Sequence, residues 1–182
     1  KIVKSIIAAI MMMSKTVPIP GFCLIKIHKN KTLTLTKKVA APIDRLELSE
    51  IPSANTDQGE FPVVDKINKP CFAIITGPTM GGGLELALGC HFRLADQSAK
   101  LALPEVKLGI LPGAGGTQRL PRLIGVEKSL PFMVEGSVIN AKAANNLGIV
   151  DELIVSKNDL EIRKIILENF NDKKFIRVSE KE

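Results

Sequence analysis

The chain has 182 residues, of which 45% are hydrophobic and 24% charged, and its net charge is +6 at pH 7. This length suits one domain, and the hydrophobic content is enough for a core, so a soluble globular protein is expected. The apolar run near the start, IVKSIIAAIMMM, contains Lys4 and is far shorter than the roughly 20 residues that cross a bilayer, so no membrane span is expected.

Cysteine spacing and the distribution of charge argue against further classes of protein. The three cysteines are widely spaced without a CxxC pair, which argues against a disulfide framework and a zinc site, so no metal and a reducing compartment are expected. The positive charge is compatible with nucleic acid or a phosphate-bearing ligand. However, the lysines are mostly scattered and there is no Trp or Tyr on which bases could stack, so nucleic-acid binding is disfavoured.

The first 68 residues carry weak structural patterns. They predict a helix over 2–13, a proline-rich turn, a strand over 22–27, an alternating TLTLT segment and a polar loop over 51–61. The chain opens on Lys1, and no signal-peptide cleavage pattern follows. We interpret this start as the processed or truncated end of a longer protein.

The patterns sharpen after Lys69. CFAIITG predicts a buried strand that ends at Gly77, and GLELALGC has apolar residues at helical spacing. FRLAD and KLAL predict short strands. Three short helices follow, and their predicted ends are Gly125, Gly136 and Gly148.

The last part of the sequence predicts one more strand, IVDELIV, and a final helix, NDLEIRKIILENF, with an Asn or Asp cap. The residues expected on or near its apolar face are Leu160, Ile162, Ile165, Ile166 and Leu167. Strands that alternate with helices indicate an α/β domain.

Three consecutive glycines, Gly81, Gly82 and Gly83, stand at the predicted turn from strand to helix. The first N–H groups of a helix have no intrahelical acceptor, so an N–H near Gly82 favours negative charge. Glu85 lies three residues further, on about the same helical face. A carboxylate beside an anion site makes sense if the anion is transient and the carboxylate moves a proton. The alternative is that the glycines only permit close packing of helix and strand.

A second glutamate, Glu105, follows Pro104 in LPEVKLGILPGAGGTQRLPR. Two carboxylates in apolar settings could have different pKa values and divide acid and base roles. A solvated or salt-bridged role explains either residue equally well at this point. No P-loop or dinucleotide-binding motif is matched by GPTMGGGLE or GAGGTQ. PGAGGTQRLPR is interpreted as a structural turn that positions the Glu105 loop and starts a helix.

His91 and Cys90 are expected to have structural roles. His91 follows the predicted helix at its C-terminal end, where a dipole-compensating or buried role is common. Cys90 is expected to be a small core residue.

Three long motifs, GGGLELALGCHFRLAD, LPEVKLGILPGAGGTQRLPRLIG and LGIVDE, together resemble the enoyl-CoA hydratase/isomerase (crotonase) superfamily. Within it they are most similar to the hydratase part of bifunctional fatty-acid β-oxidation enzymes. The resemblance is dense over residues 69–154 and implies an α/β crotonase fold of repeated ββα units. We interpret the chain as one domain over 1–182, with a C-terminal helix over 155–182. Residues 1–68 depart from the family pattern and are interpreted as a diverged or truncated part with incomplete N-terminal strands.

The resemblance also implies a reaction, the hydration of a trans-2-enoyl-CoA to a 3-hydroxyacyl-CoA by a lyase. Glu85 matches the glutamate that holds and deprotonates the attacking water, and Glu105 matches the one that exchanges the proton at the α-carbon. The N–H of Gly82 matches half of an oxyanion hole. Residues assigned to substrate binding are Gly81, Gly83, Pro104 and Gly113. No metal or redox cofactor is implied, since coenzyme A is part of the substrate.

The other half of the oxyanion hole should come from the segment VAAPIDRLEL at 39–48. If Asp44 matches the family aspartate, Ile43 supplies the second N–H. If Arg45 fixes the register instead, Pro42 takes that place and has no N–H to donate. The first register predicts catalysis, and the second predicts a non-catalytic acyl-CoA-binding or assembly module.

Other expectations rest on the resemblance alone. The presence of both glutamates favours hydration, and isomerisation or another CoA-thioester reaction is the alternative within the superfamily. A homotrimer is implied. The expected compartment is the bacterial cytoplasm, with the peroxisome or mitochondrion as the eukaryotic alternatives.

Overall fold

The computed structural model describes residues 22–28, 32–35, 69–155, 158–171 and 173–180. The predicted helix over 2–13, the polar loop over 51–61 and the candidate N–H donor Ile43 lie outside these residues. Within the described ranges, no helix is both long and apolar enough to cross a membrane.

The described strands form two sheets. The strands are β1 (Cys23–His28), β2 (Thr32–Leu35), β3 (Cys71–Thr76), β4 (Pro78–Met80), β5 (Phe92–Asp96), β6 (Lys100–Ala102), β7 (Ile139–Asn140) and β8 (Glu152–Ile154). The larger sheet has the order β2-β1-β3-β5-β8, and the smaller one has the order β4-β6-β7. In the larger sheet β1, β3, β5 and β8 are parallel, and β2 pairs antiparallel with β1.

Helices connect these strands. They are α1 (Gly82–Gly89), α2 (Gly116–Ile124), α3 (Val126–Val134), α4 (Ala141–Asn146) and α5 (Asp159–Phe170), with 3₁₀ helices at Pro104–Leu108 and Val178–Glu180. The α/β expectation is confirmed, and so is the end of α2, α3 and α4 near a glycine. Gly125, Gly136 and Gly148 all have positive φ, of 86°, 62° and 82°.

The central strand β3 is buried along its whole length. Because parallel sheets are covered on both faces, its side chains enter two different clusters. Cys71, Ala73 and Ile75 belong to a core that includes α1, whereas Phe72 and Ile74 pack with residues of α5.

Helix α5 has its predicted cap, and its predicted apolar face is confirmed in part. The side chain of Asn158 accepts a hydrogen bond from the N–H of Leu160 at 3.0 Å. The buried residues are Ile162, Ile166 and Phe170, whereas Leu160 is 60% exposed and Leu167 is 40% exposed. Ile162 and Ile166 are confirmed, and Ile165 packs partly buried against the same cluster. Leu160 and Leu167 were wrong, because the buried face is turned toward Phe170, whose ring centroid lies 4.8–5.4 Å from those of Phe92 and Phe72 in the sheet.

The predicted burial of His91 and Cys90 is confirmed. His91 is buried, and its Nδ1 accepts a hydrogen bond from the N–H of Cys71 at 3.0 Å. The sulfur of Cys90 lies 3.7 Å from the carbonyl oxygen of Leu86 and 3.7 Å from the sulfur of Cys71. Both residues fasten the end of α1 to the start of β3.

A buried arginine joins the same region to β8. Arg93 is 1% exposed, and its Nε donates to the carbonyl of Ile149 at 2.7 Å. Its Nη1 donates to the carbonyl of Cys90 at 2.8 Å, and its Nη2 donates to Asp151 at 2.8 Å. One guanidinium on β5 therefore satisfies a carbonyl at the end of α1 and two groups on the approach to β8.

We expect Arg93→Met to lower the free energy of unfolding by about 3 kcal/mol, because it leaves Asp151 and two carbonyls without this donor. Urea denaturation measures the change. The control is Lys164→Met, which removes a surface pair whose lysine side chain is 71% exposed and should cost at most about 0.5 kcal/mol. Equal losses in the two variants would contradict the assignment of Arg93 as a structural tie.

Candidate active site

The glycine triplet begins α1, and Gly81 makes the turn. Gly81 has φ 56° and ψ −126°, a conformation that favours glycine. Its N–H donates to the carbonyl of Ala102 at 2.9 Å, which ties the turn to β6. A Cβ at Gly81 would lie 2.8 Å from Oε1 of Glu105, so this glycine leaves room for the second glutamate.

Gly82 differs from its neighbours because no side chain of the described residues packs against it. Apart from its chain neighbours and the backbone of α1, no atom of the described residues lies within 4 Å of a Cβ built at Gly82. Close packing therefore does not explain this position. At Gly83 the nearest atom to a built Cβ is Cγ2 of Thr79 at 3.5 Å, an ordinary contact with β4. As the first residue of α1, Gly82 presents an N–H that has no intrahelical acceptor.

Glu85 is buried in the first turn of α1 and is held by a second helix. Glu85 is only 2% exposed to solvent. Its Oε1 accepts hydrogen bonds from the N–H of Ala114 at 2.8 Å and from the N–H of Gly116 at 2.9 Å. A Cβ at Gly116 would lie 3.0 Å from that oxygen, so glycine permits the close approach.

These contacts extend the interpretation of PGAGGTQRLPR. The segment starts α2 as predicted, with Gly115 at φ 98° as its N-cap. Its role in holding Glu85 was not predicted, because the contacts span 29 and 31 residues. The sequence did contain a signal for this role: Gly115 and Gly116 stand at a predicted helix start, as Gly82 does, where free N–H groups can bind a carboxylate.

Opposing effects act on the pKa of Glu85, and burial dominates. Loss of solvent raises the pKa above its ordinary value, and the hydrogen bonds from Gly116 and Ala114 lower it. The charge of Glu105 raises it, and the charge of Arg119 lowers it. The net pKa is raised, which makes the ionised carboxylate a stronger base than an exposed glutamate.

Glu105 lies on the 3₁₀ helix that follows β6, next to the glycine turn. It is half-buried, and its Oε2 atom is buried with no hydrogen-bond partner among the described residues. Buried polar atoms are normally paired, so this oxygen is a candidate for contact with a reacting molecule. Oε1 of Glu105 lies beside Gly81, the N-cap of the helix whose first turn carries Glu85, so the two carboxylates share one site.

The remaining candidates are distributed around these groups. Pro104 is half-buried, and its Cα would lie 3.1 Å from a Cβ at Gly136, so it packs against the residues that follow α3. Gly113 is exposed and precedes Ala114 in the turn that holds Glu85. The structure thus gathers Gly81, Gly82, Glu85 and Glu105 at the N-terminal end of α1.

Comparison with known proteins agrees with this arrangement. The fold and the paired glutamates define a crotonase-type α/β domain. The family model described as enoyl-CoA hydratase/isomerase matches residues 47–174, more than two thirds of the chain. The chain therefore belongs to the enoyl-CoA hydratase/isomerase family.

Relatives and a solved structure show how much of each protein is shared. The peroxisomal bifunctional enzyme of Cavia porcellus is 50% identical over 107 residues, 57% of this chain and 15% of that protein. The fatty acid oxidation complex subunit alpha of Vibrio cholerae is 44% identical over 128 residues, 69% of this chain and 18% of that protein. The chain thus spans less than a fifth of either relative. An enoyl-CoA hydratase structure from Bacillus anthracis has a TM-score of 0.54 at 42% identity and covers 59% of this chain and 43% of that one.

The raised pKa of Glu85 predicts a pH-dependent cost to stability. The folded protein binds more protons than the unfolded chain between the two pKa values of Glu85, so this contribution to stability declines as the pH rises through that window. Glu85→Gln keeps an acceptor for both N–H groups and removes the ionisation.

We expect Glu85→Gln to gain stability relative to the unmodified chain as the pH rises, and to be the more stable of the two at neutral pH. Urea denaturation from about pH 4 to about pH 8 measures this difference. The exposed Glu127→Gln is the control and should show no such trend. A difference that is constant across the pH range would show that ionisation of Glu85 carries no cost.

Proposed function

We propose that this chain is an enoyl-CoA hydratase that adds water to trans-2-enoyl-CoA in fatty-acid β-oxidation. One observation carries the proposal: a buried glutamate, fixed by two backbone N–H groups, lies beside a second carboxylate at a helix start where no side chain in the described part of the chain packs on Gly82. Family membership supports the same substrate class. Because the chain spans a small part of its curated relatives, the activity of the whole protein belongs to this proposal.

Each of the two carboxylates carries out one of the two proton transfers of hydration. Ionised Glu85 accepts a proton from water as the water oxygen bonds to the β-carbon. The electron pair of the double bond moves onto the thioester, and the developing charge on its oxygen is met by the N–H of Gly82. Protonated Glu105 then delivers a proton to the α-carbon, and both carboxyl groups exchange protons with solvent afterwards.

The raised pKa of Glu85 suits both directions of this reaction. In hydration it strengthens the base that takes the proton of water. In dehydration, protonated Glu85 gives its proton to the departing hydroxyl while ionised Glu105 removes the proton from the α-carbon. A raised pKa increases the population of the protonated form of Glu85 that this reverse step requires.

Further elements of the proposal follow from the chemistry and the family. Addition of water changes no overall oxidation state, so the reaction needs no redox cofactor, and both carboxylates do their work without a metal. Coenzyme A enters as part of the substrate. We propose residues 1–182 as one domain, a homotrimeric assembly, Ile43 as the second N–H donor, and contacts of Gly81, Gly83, Pro104 and Gly113 with the substrate. The proposed compartment is the bacterial cytoplasm, or the peroxisome or mitochondrion in a eukaryote.

Isomerisation of an enoyl-CoA is the second candidate, and the family description, which names both activities, favours it. It would move a proton between carbons with the same N–H of Gly82 stabilising the anion. Two carboxylates at one site favour hydration, because water must be deprotonated and the α-carbon protonated. Product analysis with a 3-enoyl-CoA substrate separates the two reactions.

Loss of enoyl-thioester absorbance on incubation with crotonyl-CoA tests the hydratase directly. We expect Glu85→Gln and Glu105→Gln each to lower kcat by about 10²- to 10⁴-fold, because each removes one proton transfer. Glu127→Gln is the matched control on an exposed helix start and should retain full activity. No turnover by the unmodified chain, with acyl-CoA binding retained, would reject hydration and favour a non-catalytic binding module.

The contribution of the Gly82 N–H is tested by Gly82→Pro. Proline is tolerated at the first position of a helix but has no N–H, so we expect kcat to fall by about 10²- to 10³-fold with the fold retained. Val126→Pro makes the same change at the first residue of α3, which is 63% exposed, and should leave kcat unchanged. Unchanged turnover in a folded Gly82→Pro protein would rule out this donor.

A further inference from the structure

The turn that holds Glu85 is itself held by a buried arginine. Arg119 of α2 is 4% exposed, and its Nη1 donates to the carbonyl of Ala114 at 2.9 Å. The N–H of Ala114 donates to Glu85 at 2.8 Å. Ala114 is therefore fixed through both its carbonyl and its N–H, one to the arginine and the other to the glutamate.

The guanidinium also lies directly against the backbone of this turn. A Cβ at Gly115 would lie 2.1 Å from Nη1 of Arg119 and 3.0 Å from its Cζ. The N–H of Arg119 donates to the carbonyl of Gly115 at 2.8 Å. Arg119 thus covers the residue between Ala114 and Gly116, whose N–H groups both bind Glu85.

Among the residues that the structure describes, two charged side chains act on Glu85 from the elements packed around it. Arg119 approaches from α2, and Glu105 approaches from the 3₁₀ helix. Their effects are opposite, since the positive charge favours the carboxylate and the negative charge favours the neutral acid. Arg119 is therefore placed to affect Glu85 both through the turn and through its charge.

We propose that Arg119 is a positioning residue that keeps the N–H groups of Ala114 and Gly116 on Oε1 of Glu85, so that the transferred proton is carried by Oε2. The identity of that proton, from water adding to an enoyl thioester, rests on the proposed function. A purely structural arginine would stabilise the turn without changing how Glu85 titrates.

The test is a titration of Glu85 that needs no substrate. The carboxyl carbon of Glu85 is followed by NMR in protein labelled with ¹³C-glutamate, and its resonance is assigned with Glu85→Gln. The variants are Arg119→Met, which removes charge and hydrogen bonds, and Arg119→Gln, a polar replacement that removes the charge. Arg119→Lys retains the charge. The matched control is Arg122→Met, which removes an exposed arginine whose hydrogen bonds go to Gln118 on the same helix.

We expect the Glu85 titration to move to higher pH in Arg119→Met and in Arg119→Gln, to return in part in Arg119→Lys, and to stay unchanged in Arg122→Met. The acid limb of kcat/KM should move in the same direction, and kcat should fall by about 10- to 100-fold as the carboxylate loses its alignment. If Arg119→Met does not fold, Arg119→Gln decides. An unchanged titration in the folded variants, or an equal shift in Arg122→Met, would overturn the proposal.

The two proposals fail separately. A shifted titration in a chain with no hydratase turnover would retain Arg119 as a positioning residue and reject the hydratase. Turnover that depends on Glu85, together with an unshifted titration, would retain the hydratase and reject the role of Arg119.

Discussion

The site depends on one constraint: the carboxylate of Glu85 is removed from water yet receives two backbone hydrogen bonds. Burial alone would keep this group neutral, and strong hydrogen bonding alone would make it a weak base. The N–H groups of Ala114 and Gly116 supply enough stabilisation for a carboxylate to exist there, while burial keeps its pKa raised. The two hydrogen bonds join α1 to the start of α2 and give the carboxylate of Glu85 a fixed orientation for proton transfer.

Local patterns predicted the parts of this site that lie within one element. The spacing of Gly82 and Glu85 placed an N–H and a carboxylate on one helical face, and α1 begins at Gly82. The contact of Glu85 with Ala114 and Gly116 depends on how α2 packs against α1. No pattern within either helix encodes that packing, so the predicted role of the glycine-rich turn was incomplete.

Packing between elements also explains where the observed fold differs from the one predicted from local patterns. Strands β4 and β7 have three and two residues, too short for an alternating pattern to be visible. On α5 the helical period was predicted, but the buried face was determined by the ring of Phe170 against Phe72 and Phe92. Which face of an amphipathic helix is covered depends on the partner surface as well as on the sequence of the helix.

The contact of Gly136 with Pro104 makes the spacing of the two carboxylates a property of a helix pair. Helix α2 holds Glu85 at its first turn, and the residues that end α3 support the segment that carries Glu105. The two helices meet at Gly125, the C-cap of one and the N-cap of the other. A change in the angle at this corner would therefore alter the distance between base and acid while both glutamates kept their own local contacts. Replacement of Gly125 itself, whose φ is 86°, is in this sense a means of tuning the distance over which a proton moves, at a position that contacts neither carboxylate.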